Sequence, residues 1–209
     1  MIAPASCVGR QTLRARCGAA LPAVLVVLFW LTGVTGWLVA HAIWDQQIVR
    51  VDRDLRVLGH AADAMAAVMV REVGRVADWT DLVTPGLPLP CPVPAPPVPT
   101  FVSVADETMR LQASTDGVSR WAPAVQPAWR ALAVCDVGVL EGAWRGRDAA
   151  PWALAWTADD PETAASGTPP TQIVLHVVAV RPSGRVARTM TLRRGAEPPT
   201  ARVIAWRPG

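Results

Sequence analysis

The sequence predicts an α+β protein in which one long N-terminal helix packs on a small antiparallel β-sheet. Three observations support this prediction. An uncharged apolar run covers Ala19–Ile43, and a stripe of apolar residues at spacings of three and four continues from Ile48 to Val76. Late in the chain, two segments with strand-like alternation, Gln172–Arg181 and Arg185–Arg194, flank a short turn. The run and the stripe together predict one helix with an apolar half and an amphipathic half.

The charge distribution argues against a protein that binds nucleic acid. The 209 residues include 20 arginines, no lysine and 17 acidic residues, which gives a formal net charge of +3. Arg10, Arg14 and Arg16 account for this excess, because the other 17 arginines balance the acids. Residues 19–209 are therefore formally neutral and do not predict a basic face. A chain that is 51% hydrophobic and 18% charged is also not a disordered one.

The run Ala19–Ile43 is long enough to cross a membrane. Its 25 residues contain no charged side chain, and as a helix they extend roughly 37 Å, against a hydrocarbon core of about 30 Å. Three arginines and no acid precede it, so the positive-inside rule predicts a cytoplasmic N-terminus and an exported remainder. Trp37 and Trp44 suit the interface on the exported side, where an indole N–H stays hydrated.

Two kinds of N-terminal processing are compatible with this run. Residues 40–42 (Ala-His-Ala) offer an A-x-A site to a signal peptidase, although the apolar segment is far longer than the roughly 7–15 residues usual in a secretory signal. Alternatively, residues 1–18 are a basic leader that is removed between Gly18 and Ala19. Pro22 favours this alternative, because after cleavage it lies in the first helical turn, where its missing N–H would have no partner.

Residues 44–79 are predicted to continue the helix as its amphipathic half. The apolar face carries Ile48, Val51, Leu55, Leu58, Ala62, Met65, Met69, Val73 and Val76. The opposite face carries Asp45, Arg50, Arg53, Asp54, Arg56, Asp63 and Arg71. A stripe of this kind packs onto a domain or forms a coiled-coil seam, and the spacing is compatible with both.

Two motifs resemble the type IV pilus minor pilins of the PilX-like family. The basic leader ending in Arg-Cys-Gly, followed by AALPAVLVVL, is similar to the class III signal of prepilins and of type II secretion pseudopilins. Downstream, Arg53–Ala67 resembles the family pattern in which an Arg-Asp pair precedes an Ala-Ala-Glu/Asp-Ala segment. The resemblance covers about residues 14–70. The matching positions of the second motif are Asp54, Ala61, Ala62, Asp63 and Ala64.

This resemblance implies a pilin-like fold and an assembly role, without catalysis or a cofactor. A prepilin peptidase would cut between Gly18 and Ala19, and the new Ala19 amine would be methylated. The protein would cross the bacterial inner membrane once, with its C-terminal domain in the periplasm, and would then enter a pilus at the cell surface. The implied partners are other minor pilins, the major pilin and a tip adhesin.

Ala23 and Ala19 depart from the pattern of the bulk pilus subunits. Major pilins carry glutamate at the fifth mature position, Ala23 here, where it compensates the N-terminal ammonium of a neighbouring subunit in an apolar core. A subunit with nothing above it meets no such ammonium, so Ala23 favours a priming or tip position. Ala19 replaces the usual phenylalanine or methionine. The alternatives are a type II secretion minor pseudopilin and a signal-anchored or secreted periplasmic binding protein.

Residues 80–100 are predicted to form a proline-rich connector. Pro85–Pro99 contains eight prolines, which excludes a helix or a central strand. The segment is a polyproline spacer or, alternatively, a docking segment for an aromatic groove. Cys91 lies within it, and Cys135 is the one other cysteine after the membrane run. Export to an oxidising compartment therefore predicts a disulfide between Cys91 and Cys135.

Residues 101–209 are predicted to form a β-rich head. Gln172–Arg181 and Arg185–Arg194 make an antiparallel hairpin around a Pro-Ser-Gly turn, and Arg188 is the exception on the apolar face of the second strand. Asp159–Pro170 is predicted to be an exposed loop. Further strands are predicted at Ala201–Trp206 and, from weaker patterns, at Phe101–Val104, Ala133–Leu140 and Trp152–Trp156.

The groups with chemical potential form no catalytic or metal-binding motif in the sequence. His41, His60 and His176 are dispersed and fit a headgroup contact, an exposed helix face and a sheet position, respectively. The adjacent Asp159 and Asp160 are expected to be solvated. The later tryptophans form a carbohydrate or partner surface, or they fill the core in place of other aromatic residues. They are Trp121, Trp129, Trp144, Trp152, Trp156 and Trp206.

Overall fold

The computed structural model describes residues 11–83, 91, 97–116, 129–140, 150–160, 169–195 and 200–208. These residues have the predicted α+β layout. The helices are α1 (Gln11–Arg75), α2 (Thr80–Val83), α3 (Val104–Asp116) and α4 (Val137–Leu140). The strands are β1 (Arg130–Asp136), β2 (Trp152–Asp159), β3 (Gln172–Arg181), β4 (Gly184–Arg194) and β5 (Ala201–Pro208). The chain divides into two compact units, Met1–Val51 and Asp52–Gly209, with the boundary inside α1.

The five described strands form one antiparallel sheet in the order β1-β2-β3-β4-β5. Each strand pairs with the next strand along the chain, as short connections favour. The predicted hairpin is β3 and β4, in which Arg181 pairs with Gly184 and leaves Pro182 and Ser183 as a two-residue turn. The predicted third strand is β5, and β2 extends the predicted Trp152–Trp156 segment by three residues.

The first face of the sheet packs against the part of α1 that belongs to the second unit. The apolar stripe is confirmed there, because its members from Leu58 to Val73 are buried. On β3 the alternate residues predicted to share a face are all buried in the same cluster. The cluster includes Leu58, Ala62, Met65, Met69 and Val73 of α1, and Ile173, Leu175, Val177 and Ala179 of β3. Each large side chain buried in this way stabilises the fold by about 1.5–3 kcal/mol.

The stripe is not buried along its whole predicted length. Ile48, Val51 and Leu55 remain 62%, 58% and 47% exposed, whereas Leu58 is fully buried. The change falls between Leu55 and Leu58, within two helical turns of Asp52, where the second unit begins. The amphipathic half therefore has two parts, and only the part from Leu58 onward is buried against the sheet of its own chain.

Helix α1 ends at Arg75, so the prediction of a helix continuing to Trp79 was wrong. Trp79 turns back into the core, where it is 1% exposed and its Nε1–H donates to the carbonyl of Val73 at 3.2 Å. The same carbonyl also accepts the N–H of Val76 at 3.2 Å, so the last helical turn is closed by one backbone bond and one indole bond. Asp78 then starts α2, because its carboxylate accepts the N–H of Thr80 at 2.9 Å. The same backbone hydrogen bond holds the pKa of Asp78 below its ordinary value.

Helix α3 begins where a strand was predicted at Phe101–Val104, so that prediction was wrong. The Ser103 hydroxyl accepts the N–H of Asp106 at 3.2 Å, which caps the first turn. Asp106 and Glu107 add negative charge at the positive end of the helix dipole. Capping and charge together outweigh the strand preference of the short apolar segment before them.

The strand predicted at Ala133–Leu140 is correct only in its first part. β1 covers Arg130–Asp136, and the short helix α4 follows it directly. The carboxylate of Asp136 accepts the N–H of Gly138 at 2.8 Å, so the side chain of Asp136 turns the backbone out of the strand.

A second hydrophobic cluster lies on the opposite face of the sheet, which the sequence did not predict. It contains Val102 and Leu111 from α3 and its N-terminal flank, together with Trp152, Leu154 and Trp156 of β2. Because α3 covers this face, the even-numbered residues Val174, Val178 and Val180 of β3 are buried as well. The second unit therefore has three layers: α1, the sheet and α3.

Candidate functional site

The N-terminal unit exposes a long apolar helix surface. Within the described residues, α1 is the one helix long and apolar enough to cross a membrane, by its length and composition. Phe29 and Trp30 are 83% and 68% exposed. The hydroxyls of Thr32 and Thr35 donate to carbonyls three and four residues earlier, at 2.9–3.1 Å. Internal bonds of this kind satisfy polar groups that have no water in a bilayer core.

The residues of the predicted cleavage site lie inside α1. Gly18 and Ala19 are helical in backbone, and their side chains are outside the described residues. Pro22 lies inside the same helix, and Ala23 is exposed. The structure is that of the uncut chain, in which the helix begins before the predicted first mature residue. The predicted removal of residues 1–18 therefore stays a prediction.

Asp54 and Asp63, the acidic residues of the segment Arg53–Ala67, form ion pairs with the β3–β4 hairpin of their own chain. A carboxylate oxygen of Asp63 is 3.0 Å from Nε of Arg188, and one of Asp54 is 3.7 Å from Nη1 of Arg181. The first pair explains why a charged residue interrupts the apolar face of β4. Gly59 lies beside this pair, where a Cβ would meet the Arg188 guanidinium at an ordinary contact distance of 3.4 Å. The Asp63 side chain is 48% exposed, so this pair contributes about 1 kcal/mol or less.

Cys91 and Cys135 form the predicted disulfide, with their Cα atoms 5.8 Å apart. Cys135 belongs to β1 and is fully buried in the first-face cluster, while Cys91 is packed against it. Most of the predicted connector, including residues 84–90 and 92–96, lies outside the described residues. The bond therefore attaches the connector to an edge strand of the sheet.

Several of the other candidate residues have structural roles. Asp160 is only 5% exposed, so the prediction of a solvated acidic pair was wrong for this residue. The reason is that β2 continues to Asp159 and places Asp160 directly after a buried strand. The described part of the predicted loop is otherwise too short to test, because residues 161–168 are outside it. Trp129, Trp152 and Trp156 are buried and fill the core, whereas Trp206 is 48% exposed. Trp121 and Trp144 lie outside the described residues.

A groove of about 800 Å³ opens beside α3, mainly on the second face of the sheet, and Leu55 of α1 also contributes to its lining. We call it the second-face groove. Arg110 and Ser114 of α3 line one side, and β3, β4 and β5 contribute His176, Thr189 and Arg207. It combines apolar and charged side chains. Pockets of this size accommodate small-molecule ligands.

His176 is the central polar group of the second-face groove. Its Nδ1 lies 2.8 Å from the Thr189 hydroxyl, and its ring centroid is 5.7 Å from that of Trp129 and 6.2 Å from that of Trp156. Burial in this aromatic setting, with a smaller contribution from Arg185, lowers the pKa of His176 from 6.5 to about 4. The imidazole is therefore neutral at physiological pH, as predicted for a sheet residue.

The sequence contained weak signals for this groove. Trp152–Asp159 is apolar at consecutive positions, a pattern typical of a strand buried on both faces. A serine three residues before an aspartate, at Ser103 and Asp106, is a helix-start signal. Together they could have placed α3 over the second face. The lateral register that joins Thr189 of β4 to Arg207 of β5 is not readable from the sequence.

The described residues contain no group of three or more His, Cys, Asp or Glu side chains that could hold a metal ion. Comparison of this chain with family models, with curated proteins and with solved structures gives no match.

Proposed function

We propose that this chain is a membrane-anchored minor pilin-like subunit that primes a type IV pilus or sits at its tip. One observation carries the proposal. The single helix α1 buries Leu58–Val73 against an antiparallel sheet of its own chain, while its apolar residues from Leu21 to Leu55 stay exposed. An exposed apolar helix of this length requires lipid or neighbouring helices as its surroundings. The resemblance of the leader and of Arg53–Ala67 to minor pilins favours a type IV pilus as the assembly that surrounds this helix.

A type II secretion pseudopilin is the nearest alternative, because it would use the same helix in the same way. A membrane-anchored binding protein is a second candidate function. The second-face groove favours this candidate, since an assembly role does not require a polar cavity on the head.

We expect the mature protein to begin at Ala19 when the full chain is produced with a prepilin peptidase. Cleavage there removes residues 1–18 and places Pro22 in the first turn, where it removes no helical hydrogen bond. Mass spectrometry of the purified N-terminus measures this, including a methyl group on the new amine. The same chain without the peptidase is the control and should keep its leader. A mature protein that begins at Ile43 would show that a signal peptidase releases the head instead.

If the subunit primes or caps filaments, deleting its gene should abolish most surface pili. It should also be far scarcer in sheared filaments than the major pilin. Ala23 is the reason, because a position without a carboxylate suits a subunit that meets no neighbouring ammonium. Electron microscopy counts the pili, and quantitative proteomics measures the stoichiometry. Normal piliation in the deletion strain, or equal abundance with the major pilin, contradicts the priming role.

A further inference from the structure

The second-face groove is built around one row of residues that runs across four strands. The pairing register sets Trp156 of β2 beside His176 of β3, His176 beside Thr189 of β4, and Thr189 beside Arg207 of β5. Paired residues of neighbouring antiparallel strands point to the same face. The row therefore passes from a buried indole through an imidazole and a hydroxyl to an exposed guanidinium.

The buried end of this row is fixed in position by hydrogen bonds. Nε1–H of Trp156 donates to the Thr108 hydroxyl of α3 at 2.8 Å, and the Thr108 hydroxyl donates to the carbonyl of Val104 at 2.7 Å. His176 is held by Thr189 and by ring contacts with Trp129 and Trp156. Groups held in this way lose little freedom when a ligand binds.

Arginines surround the open part of the groove. Glu107 of α3 binds two of them, Arg110 at 3.1 Å and Arg185 at 3.1 Å. Arg207 is exposed, and the structure gives it no acidic partner among the described residues. The lining contains three arginines and two acids, Glu107 and Asp160, so its formal charge is +1. The free guanidinium is a donor for a bidentate carboxylate.

The floor beside this charge is made of small side chains. Ala187, Thr191 and Ala205 line the groove on either side of the row, and each presents a methyl group. Methyl groups next to hydroxyls suit a sugar ring, which has apolar C–H faces and hydroxyl edges. The Thr189 and Thr191 hydroxyls supply hydrogen bonds for these edges.

We propose that the second-face groove binds an acidic oligosaccharide, with Arg207 holding a carboxylate and the threonine hydroxyls of β4 bonding the ring hydroxyls. The cavity volume of about 800 Å³ accommodates two or three sugar units. The residues that would hold the ligand, Arg207, Thr189 and Thr191, belong to β4 and β5 and not to α1, so the variants of the site leave the apolar helix unchanged. A carbohydrate surface was one of the two interpretations of the tryptophans. The site proposed here instead uses residues of β4 and β5.

Binding is measured at neutral pH by isothermal titration of the full chain in polyoxyethylene micelles, which carry no sugar headgroup. The probes are trigalacturonate, its methyl ester, which keeps the rings and removes the charges, and tri-aspartate, which keeps the charges and removes the rings. We expect saturable binding of trigalacturonate and at least about tenfold weaker binding of both others, the loss typical of a missing charged hydrogen bond.

Variants locate the site. Arg207→Ala should weaken trigalacturonate binding about tenfold, and Thr189→Val, which keeps the side-chain shape, should weaken it severalfold. Arg202→Ala is the matched control, because Arg202 is an exposed arginine on the same strand that does not line the groove. Near-ultraviolet circular dichroism checks that each variant keeps its packed tryptophans.

Each remaining outcome overturns the proposal. Equal binding of the methyl ester would show that Arg207 does not select a carboxylate. Equal or tighter binding of tri-aspartate would identify an acidic peptide as the ligand instead. An equal loss in Arg202→Ala would indicate a general attraction to the arginines of β5, and the absence of trigalacturonate binding would refute the site. A failed pilus-assembly test would leave all of these results unchanged.

Discussion

Replacing Cys91 and Cys135 by alanine is expected to lower the free energy of unfolding of the head by about 4 kcal/mol. The disulfide closes a loop between residues 44 positions apart, and a closed loop of this length restricts the unfolded chain. Alanine is the suitable replacement, because Cys135 is fully buried and serine would place a hydroxyl in the apolar cluster. A loss of this size is a large fraction of the stability of an ordinary domain.

Urea unfolding of the full chain in micelles, followed by near-ultraviolet circular dichroism, measures this loss. Cys91→Ala and Cys135→Ala alone should each cost about as much as the double variant, because either one removes the same crosslink. If the two losses add instead, side-chain packing rather than the crosslink would be responsible. Peptide mapping of the exported protein under non-reducing conditions should find the two cysteines joined.

Acidification from pH 7 to pH 4 is expected to reduce the stability of the head by about 3 kcal/mol through His176 alone. In the folded protein, burial first and Arg185 second lower the pKa of His176 to about 4, whereas the unfolded residue titrates near 6.5. Between these values the unfolded state binds more protons than the folded state. The stabilisation is therefore complete above about pH 6.5, and it is lost as the pH falls towards 4.

His176→Gln isolates this contribution, because glutamine does not titrate and can still bond to the Thr189 hydroxyl. The urea midpoint of this variant should fall less with acid than that of the parent chain. His60→Gln removes an exposed imidazole of α1 and is the matched control. Parallel pH profiles for the parent chain and His176→Gln would mean that His176 is already solvated in the folded state.

The elements that the sequence determined depend on local pattern. The predicted apolar stripe of α1 is buried from Leu58 to Val73, because a spacing of three and four places apolar residues on one face of a helix. The β3–β4 hairpin holds because alternation and a two-residue turn fix its register. The disulfide followed from counting the cysteines after the membrane run.

The elements that the sequence missed depend on side-chain contacts that form only in the folded core. Trp79 ends α1 by bonding to Val73 inside the core, and Arg188 fits an apolar face because Asp63 lies opposite it on the helix. Neither contact leaves a periodic signal. The prediction for Phe101–Val104 failed because Ser103 caps α3 there, and α3 then covers the second face of the sheet.

By itself, the sequence determined an apolar segment long enough to cross a membrane, its continuation as an amphipathic helix, the β3–β4 hairpin and the pairing of two cysteines. Each is encoded by residue type and spacing over short stretches of chain. Only the tertiary structure decided that the sheet is buried on both faces. It also decided that Asp54 and Asp63 form ion pairs with the β3–β4 hairpin, and that His176, Thr189 and Arg207 line one groove. These features depend on strand register and on the packing of α3. Register and packing are set by the free energy of the whole fold, because many weak contacts between residues far apart in the chain must be satisfied together.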